Sequence, residues 1–193
     1  TKDGWVRDLG VGTKQYFNQK GLLVKEVGSS GYALDIVYDE KNLVKTIKDN
    51  FAKQLFFSWY SNGKVKEIWS AGDKKVLFKY DGALLTEAKN INGEVFKYAY
   101  DANFNMTKIT YADGTSQIMK YDPQTLRIAE VVSKGGNSTK YDFSKDKLNP
   151  LHFATTVKKS GFGGEALVSK YEYELKKKTD GSTYTYRVVT SIH

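Results

Sequence analysis

The chain has 193 residues, and its 30 Lys and Arg outnumber its 22 Asp and Glu, which gives a formal net charge of +8. It contains no Cys, and this excludes disulfides, thiolate metal sites and thiol nucleophiles. Its 2 Pro and 17 Gly exclude a collagen-like or disordered chain, while its 14 Tyr favour β-structure. No apolar run approaches the roughly 18 residues of a membrane-spanning helix.

Residues 1–30 predict an N-terminal cap that is rich in turns. They contain a degenerate repeat mark, Tyr16-Phe17, and the segment Gly10-Val11-Gly12. That segment lacks the strand-to-helix context of a phosphate-binding loop, so it predicts turns and not a nucleotide site. The chain begins at Thr1 and not at Met, and we therefore expect that a signal peptide or an upstream domain has been removed.

Residues 31–148 contain a repeat whose mark is a Tyr followed by a polar residue. Successive marks are about 21 residues apart, a length that fits one β-hairpin with two short turns. Together with the degenerate first copy, they predict about seven units. The marks are Tyr38-Asp39, Tyr60-Ser61, Tyr80-Asp81, Tyr100-Asp101, Tyr121-Asp122 and Tyr141-Asp142.

The residues before each mark alternate as a half-buried strand does. Aromatic side chains fall at every second position in Phe96-Lys97-Tyr98-Ala99-Tyr100, so one face of the sheet is predicted to carry the tyrosines and the other to be mixed or polar. The tyrosines are predicted to pack across strands. The recurring Asp39, Asp81, Asp101 and Asp122 are predicted to bond backbone N–H groups in turns rather than to act in acid–base chemistry.

The segment Tyr98-Ala99-Tyr100-Asp101, followed by Met106 and Asp113-Gly114, resembles the YD repeats of Rhs proteins, teneurins and wall-associated bacterial toxins. The Gly that is usual in the first turn of that repeat is replaced by Phe104 or Asn105. The resemblance covers about residues 12–148 and implies an all-β, curved antiparallel meander of hairpins. It also implies a bacterial protein that is secreted, periplasmic or on the cell surface, and larger relatives form hollow shells.

Tyr121 to Ile128 resembles a signature near the end of Rhs shells, with Leu126 in place of Gly. The self-cleavage of larger relatives is not carried over, because the Asp-containing motif that follows the signature is absent. The segment therefore predicts a turn that contains Pro123.

Residues 149–193 lose the period and predict a C-terminal cap. Leu151 to Val157 is compatible with either a short helix or a strand, and residues 161–164 predict a glycine-rich loop. Leu167–Leu175 and Thr183–Ile192 predict a long hairpin with its turn at residues 179–182. Such a cap would protect the last edge of a repeat array, although a binding loop at residues 158–165 is an alternative.

No catalytic, cofactor-binding or metal-ligating residues are predicted, and no cofactor is expected. The best candidates for ligand binding are an aromatic cluster and two lysines near the cap loop. Aromatic faces can stack on sugars, and lysines can contact anionic polymers. These candidates are Trp59, Trp69, Phe57, Lys158 and Lys159.

We therefore expect a non-catalytic structural or binding module whose partner is an envelope polysaccharide or another protein. A small scaffold that wraps a polypeptide is the main alternative. An enzyme that uses His152 in the 149–166 region is a third alternative. Nucleic acid is disfavoured as a partner because no nucleic-acid-binding motif accompanies the positive charge. The oligomeric state stays open.

Overall fold

The computed structural model describes residues 4–72, 74–160 and 166–192. All regular elements in these ranges are β-strands, so the predicted all-β fold is confirmed. Within the described ranges, no helix long and apolar enough to cross a membrane occurs. The chain divides after Phe96 into two compact units.

In each unit, every strand pairs antiparallel with the next, which makes a simple meander. The first unit contains β1 (Trp5–Asp8), β2 (Lys14–Phe17), β3 (Leu23–Val27), β4 (Ala33–Tyr38), β5 (Val44–Asp49), β6 (Gln54–Trp59), β7 (Val65–Ser70), β8 (Lys75–Asp81) and β9 (Leu84–Lys89). The second begins within β10 (Val95–Tyr100) and continues with β11 (Met106–Thr110), β12 (Ser116–Tyr121), β13 (Ile128–Val132), β14 (Ser138–Lys145), β15 (His152–Ser160), β16 (Ala166–Lys177) and β17 (Thr183–Ile192).

A β-bulge precedes the turn of most hairpins, and the mark tyrosine sits directly after it. Register shifts occur between Val37 and Tyr38, and likewise before Tyr80, Tyr100 and Tyr121. A bulge sets two residues against one, so it twists the strand and reorients the next side chain. The mark therefore recurs because each hairpin needs the same distortion before its turn.

The hairpin of β6 and β7 corrects one predicted mark. Its bulge lies between Ser58 and Trp59, and the Tyr60 N–H begins the turn by bonding the Lys64 carbonyl oxygen. In the β4–β5 hairpin, the residue in that place is Asp39, whose N–H bonds the Leu43 carbonyl oxygen. Trp59 thus occupies the tyrosine position and Tyr60 the aspartate position, one residue earlier than the predicted Tyr60-Ser61 mark. Trp can replace Tyr at this position because its indole, like a tyrosine ring, is large and carries a hydrogen-bond donor at its far end.

Aspartates at the start of a turn bond backbone N–H groups two to four residues later. Asp39 Oδ1 accepts from the N–H groups of Lys41 and Leu43, both at 2.9 Å. Asp101 makes the same contacts, and Asp122 makes a shorter version of them. The predicted turn role is therefore observed at these three residues.

Asp81 and Asp142 do not hold that role. Asp81 ends β8 and faces Leu84 across a two-residue turn, and Asp142 lies inside β14 opposite Thr156. The two-residue turn after Asp81 is too short to offer the carboxylate a free backbone N–H group. The backbone N–H groups near Asp142 already bond to the neighbouring strands.

Several turns require a left-handed residue. Gly93 and Gly114 have φ of 85° and 82°, as their Asn-Gly and Asp-Gly sequences predict. Phe104 and Leu126 adopt φ of 64° and 56° without being Gly, so Phe104 and not Asn105 stands at the position where the resemblance expects glycine.

The two faces of each unit differ in chemistry. One, which we call the tyrosine face, carries Leu34, Ile36, Tyr38, Ile47, Phe57 and Phe78 in the first unit and Tyr98, Met119, Val131 and Tyr141 in the second. The other, the charged face, holds Lys–carboxylate pairs between strands. Lys25 lies 3.4 Å from Asp35, Lys79 lies 2.8 Å from Glu87, and Lys120 lies 2.7 Å from Glu130.

The described residues form no deeply buried core. Only Ala33, Met119 and Ala154 count as buried hydrophobic residues, and no large side chain is fully buried. The accessible surface is 13666 Å², whereas a folded monomer of this size exposes about 9,300 Å². On the tyrosine face, large side chains such as Leu34, Tyr38 and Phe57 are only half-buried.

The C-terminal region continues the meander. The predicted hairpin is present as β16 and β17, and the Lys178 N–H bonds the Ser182 carbonyl oxygen across its turn. Of the two alternatives for the segment near Leu151, the strand is correct, because β15 pairs with β16 along its whole length and with β14 from Phe153 to Lys159. The loop at 161–164, Asp73 and His193 lie outside the described residues. The division into caps and a repeat array, and the number of repeats, stay predictions.

Candidate binding surface

An open depression of about 630 Å³ lies on the tyrosine face of the first unit. Its aromatic wall is formed by Phe57 and Trp59, whose rings stack with centroids 6.4 Å apart. The Trp59 indole N–H donates a 2.7 Å hydrogen bond to the carbonyl oxygen of Val44, which fixes the ring. Glu40 and Lys41 supply polar groups at the margin. The depression therefore combines an immobilised aromatic surface with charged groups.

Trp69 lies on the opposite face of the same unit. It stands directly across from Phe56, with ring centroids 5.6 Å apart, and Lys75 Nζ lies 5.8 Å from its ring. Phe56 and Phe57 are consecutive residues of β6, so they point to opposite faces. The predicted cluster of Trp59, Trp69 and Phe57 is thus divided, and only Phe57 and Trp59 share a surface.

A second depression of about 660 Å³ on this unit reaches from Leu34 to Leu55, near the turn that joins β5 and β6. Asp49 is one of the few buried polar residues, and its Oδ1 accepts from the N–H groups of Phe51 and Lys53. Tyr32 and Phe51 stack beside this turn with centroids 6.2 Å apart. The sequence did not predict this region because Asp49-Asn50 does not match the Tyr-plus-polar mark. The signal that could have revealed it is Phe51, a large apolar residue within a turn.

Lys158 and Lys159 lie on opposite faces of β15. Lys158 faces Lys140 across the ladder, whereas Lys159 faces Thr139. Glu130 is the other neighbour of Lys140, but its carboxylate oxygens already accept bonds from Lys120 and Ser138. Lys140 and Lys158 therefore form a like-charge pair, although Lys140 also acts on the Glu130 carboxylate that it shares with Lys120, and the two predicted lysines do not act together.

His152 lies between two carboxylates at the beginning of β15. Its Nδ1 is 3.2 Å from Asp146 Oδ2 and its Nε2 is 3.8 Å from Glu172 Oε1. Asp146 also accepts hydrogen bonds from the N–H groups of Leu148 and Asn149. These two bonds, and to a smaller extent the bond from His152, hold the pKa of the Asp146 carboxyl below its usual value. In the ranges that the structure describes, no group of three or more His, Asp or Glu side chains is placed to hold a metal ion.

The mark tyrosines are tied into the sheet. Desolvation raises the pKa of the Tyr38 hydroxyl, and that hydroxyl donates a 2.8 Å bond to the carbonyl oxygen of Leu23. Burial likewise raises the pKa of Tyr80 and of Tyr100. Partial burial of these three hydroxyls agrees with the predicted packing role of the mark tyrosines.

Residues 80–116 match the family model of the RHS repeat. The predicted resemblance to YD-repeat proteins is confirmed. The matched segment contains the hairpin of β10 and β11, with its bulge before Tyr100 and its turn from Asp101.

One sequence relative is the tRNA3(Ser)-specific nuclease WapA of Bacillus spizizenii. It is 27% identical over 141 residues, which are 70% of this chain and 6% of the nuclease. The chain therefore spans a small fraction of that relative's length.

Two solved structures share the fold. The crystal structure of TcdB2–TccC3–Cdc42 matches 90% of this chain with a TM-score of 0.52 at 12% identity. The Tc holotoxin pore of Photorhabdus luminescens matches 94% with a TM-score of 0.53 at 10% identity. This chain covers 10% and 11% of those chains, and the likeness establishes the fold alone.

Proposed function

We propose that this RHS-repeat chain is a non-catalytic structural module that binds a polypeptide along its tyrosine face. The observation that carries the proposal is the half-covered apolar surface. Leu55, in the middle of that face, is 43% exposed, and the largest residues around it are only half buried. Apolar surface of this extent is costly in water and marks an interaction site.

The comparisons support this proposal at the level of architecture. Both similar structures are multi-component assemblies, one of TcdB2, TccC3 and Cdc42 and the other a holotoxin pore. By analogy, this chain would also act as one part of an assembly with another polypeptide. The activity in the name of the nuclease relative is not transferred, since this chain matches only 6% of it. We also propose that the chain is secreted, periplasmic or on the cell surface, as the YD-repeat resemblance implies.

The test uses the adjacent phenylalanines of β6 as a matched pair. A fluorescently labelled, reduced and carboxymethylated α-lactalbumin serves as an unfolded probe, and anisotropy measures its affinity for the full chain. Phe57→Asn alters the tyrosine face and should weaken binding about tenfold, the amount expected for losing one large apolar contact. Phe56→Asn alters the charged face of the same strand and should leave the affinity unchanged. Equal effects of the two substitutions, or no binding, would reject the proposal.

A second candidate function is carbohydrate binding in the Phe57–Trp59 depression. The specific observation in its favour is the fixed Trp59 ring beside Glu40 and Lys41. An envelope polysaccharide should then bind in low and high salt and lose binding with Trp59→Ala, but not with Trp69→Ala on the opposite face. Binding that disappears in high salt with either variant would reflect only the positive charge of the chain.

A further inference from the structure

Three successive turns at one end of the second unit carry a large, exposed apolar side chain. Phe104 in the β10–β11 turn is 71% exposed, Leu126 in the β12–β13 turn 47%, and Leu148 in the β14–β15 turn 96%. Alternate turns of an antiparallel meander lie at the same end of its strands. The three side chains, which we call the rim triad, therefore form a row along one rim.

The turns themselves do not need these residues. Phe104 and Leu126 adopt φ of 64° and 56°, a left-handed conformation that a side chain makes costly and that glycine adopts freely. The corresponding turns of the first unit place Gly21, Asn42 and Gly63 at their left-handed positions. At the position where the first unit has Gly or Asn, the second unit thus has a Phe or a Leu, and these two apolar side chains are exposed to water.

The spacing of the rim triad suits a helix. Neighbouring hairpin tips are two strands apart, or about 9.6 Å. A helix advances about 10.5 Å in seven residues, so an apolar residue at every seventh position would meet each tip in turn. An extended strand would need a free strand edge to pair with, whereas the tips are turns whose backbone groups bond within their own hairpins, as the Asp101 N–H bonds the Asn105 carbonyl oxygen.

The charges behind the tips indicate the sign of the partner. Each of the three turns begins with an aspartate, Asp101, Asp122 or Asp146, and hydrogen bonds hold the pKa of each carboxyl below its usual value. The bond from the Asn105 side chain leads at Asp101, and bonds from backbone N–H groups lead at the other two. Three ionised carboxylates attract basic side chains and repel an anionic lipid surface. Arg127 and Lys147 lie on the same turns and would attract acidic residues of the partner.

We propose that the rim triad is a docking site for an amphipathic helix of a partner protein, with apolar residues every seven positions and basic residues between them. This site is separate from the tyrosine face, so it stands or falls independently of the proposed function. Its energy comes from covering three apolar side chains that the isolated unit leaves in water.

The probe is a labelled peptide of about 21 residues built from Ala, Lys and Leu, with Leu at every seventh position. Anisotropy measures its affinity for the full chain. Phe104→Gly and Leu126→Gly should each weaken binding about tenfold, while thermal unfolding occurs at the same or a higher temperature because strain is removed. Phe51→Ser, which removes an exposed phenylalanine from a turn of the first unit, should leave the affinity unchanged.

Two further probes complete the test. A peptide of the same composition with Leu at every fifth position should bind at least tenfold more weakly. Absence of binding, equal binding of both peptides, or affinity that survives both Gly substitutions would overturn the proposal. Binding of the chain to phosphatidylserine-containing vesicles that is lost with the same substitutions, without peptide binding, would also overturn it and assign the row to a lipid surface.

Discussion

The Tyr121 hydroxyl donates a 2.9 Å hydrogen bond to the carbonyl oxygen of Met106, which begins the second strand of the preceding hairpin. The same relationship joins Tyr38 to Leu23 and Trp59 to Val44, each across fifteen residues of sequence. The mark residue therefore ties one hairpin to the hairpin before it. This bond explains why a ring with a donor at its far end recurs in the repeat.

Replacing Tyr121 by Phe should lower the free energy of unfolding by about 1 kcal/mol, since the Met106 carbonyl loses its partner while the ring stays in place. Urea denaturation followed by far-ultraviolet circular dichroism, which reports on the strands of both units, measures the change. Tyr141→Phe is the matched control, because no hydrogen bond of its hydroxyl occurs in the described chain, and its effect should be close to zero. A loss of equal size in both variants would show that the hydroxyl bond is not the cause.

Ala52→Gly should stabilise the chain. Ala52 has a φ of 65°, and an L-residue in this conformation is strained by about 1–2 kcal/mol. Glycine gives back about 0.5–1 kcal/mol through the greater freedom of the unfolded chain, so the net gain should be about 0.5–1 kcal/mol. The reverse change, Gly93→Ala at a φ of 85°, should destabilise. Thermal unfolding of both variants checks the prediction, and a lower melting temperature for Ala52→Gly would contradict it.

Lys158→Glu should stabilise the second unit by converting the Lys140–Lys158 pair into a pair of opposite charges. Direct cross-strand pairs of this kind are worth about 0.2–1 kcal/mol, and the gain should shrink as salt is added. Lys159→Glu on the other face meets Thr139 and serves as the control. Denaturant midpoints at low and high salt measure both. A gain that does not respond to salt would mean that Coulomb attraction is not its source.

Asp113 should make stability depend on pH in the acid range. Lys134, followed by the Thr115 side chain and backbone N–H, lowers the pKa of this carboxyl from 3.8 to about 2. Because the folded pKa lies below the unfolded value, the contribution is complete above about pH 4 and is lost as the pH falls toward 2. The denaturation midpoint of the native chain should therefore fall more between about pH 5 and 2 than that of Asp113→Asn. Parallel curves would contradict this assignment.

Much of the local structure could be predicted because it depends on short-range rules. The alternation around Tyr98 and Tyr100 identified strands and their apolar face, and Asn92-Gly93 and Asp113-Gly114 identified turns, since glycine adopts positive φ without strain. The aspartate turns at Asp39 and Asp101 followed from the reach of a short carboxylate. Phe56 and Phe57 are adjacent in one strand and must therefore point to opposite faces. To place Trp69 with Phe56 and Trp59 with Phe57, however, the pairing of β6 with β7 had to be known.

The sequence by itself determined that this chain is an all-β array of hairpins, because its period and alternation admit one strand geometry throughout. Only the tertiary structure decided which residues share a surface. That choice depends on register and bulges, which shifted the mark to Trp59, divided the aromatic cluster and set Lys158 against Lys140. It also depends on backbone conformation, which placed Phe104 and Leu126 in left-handed turns. These features arise from pairing between strands, and residues in a single strand do not specify them.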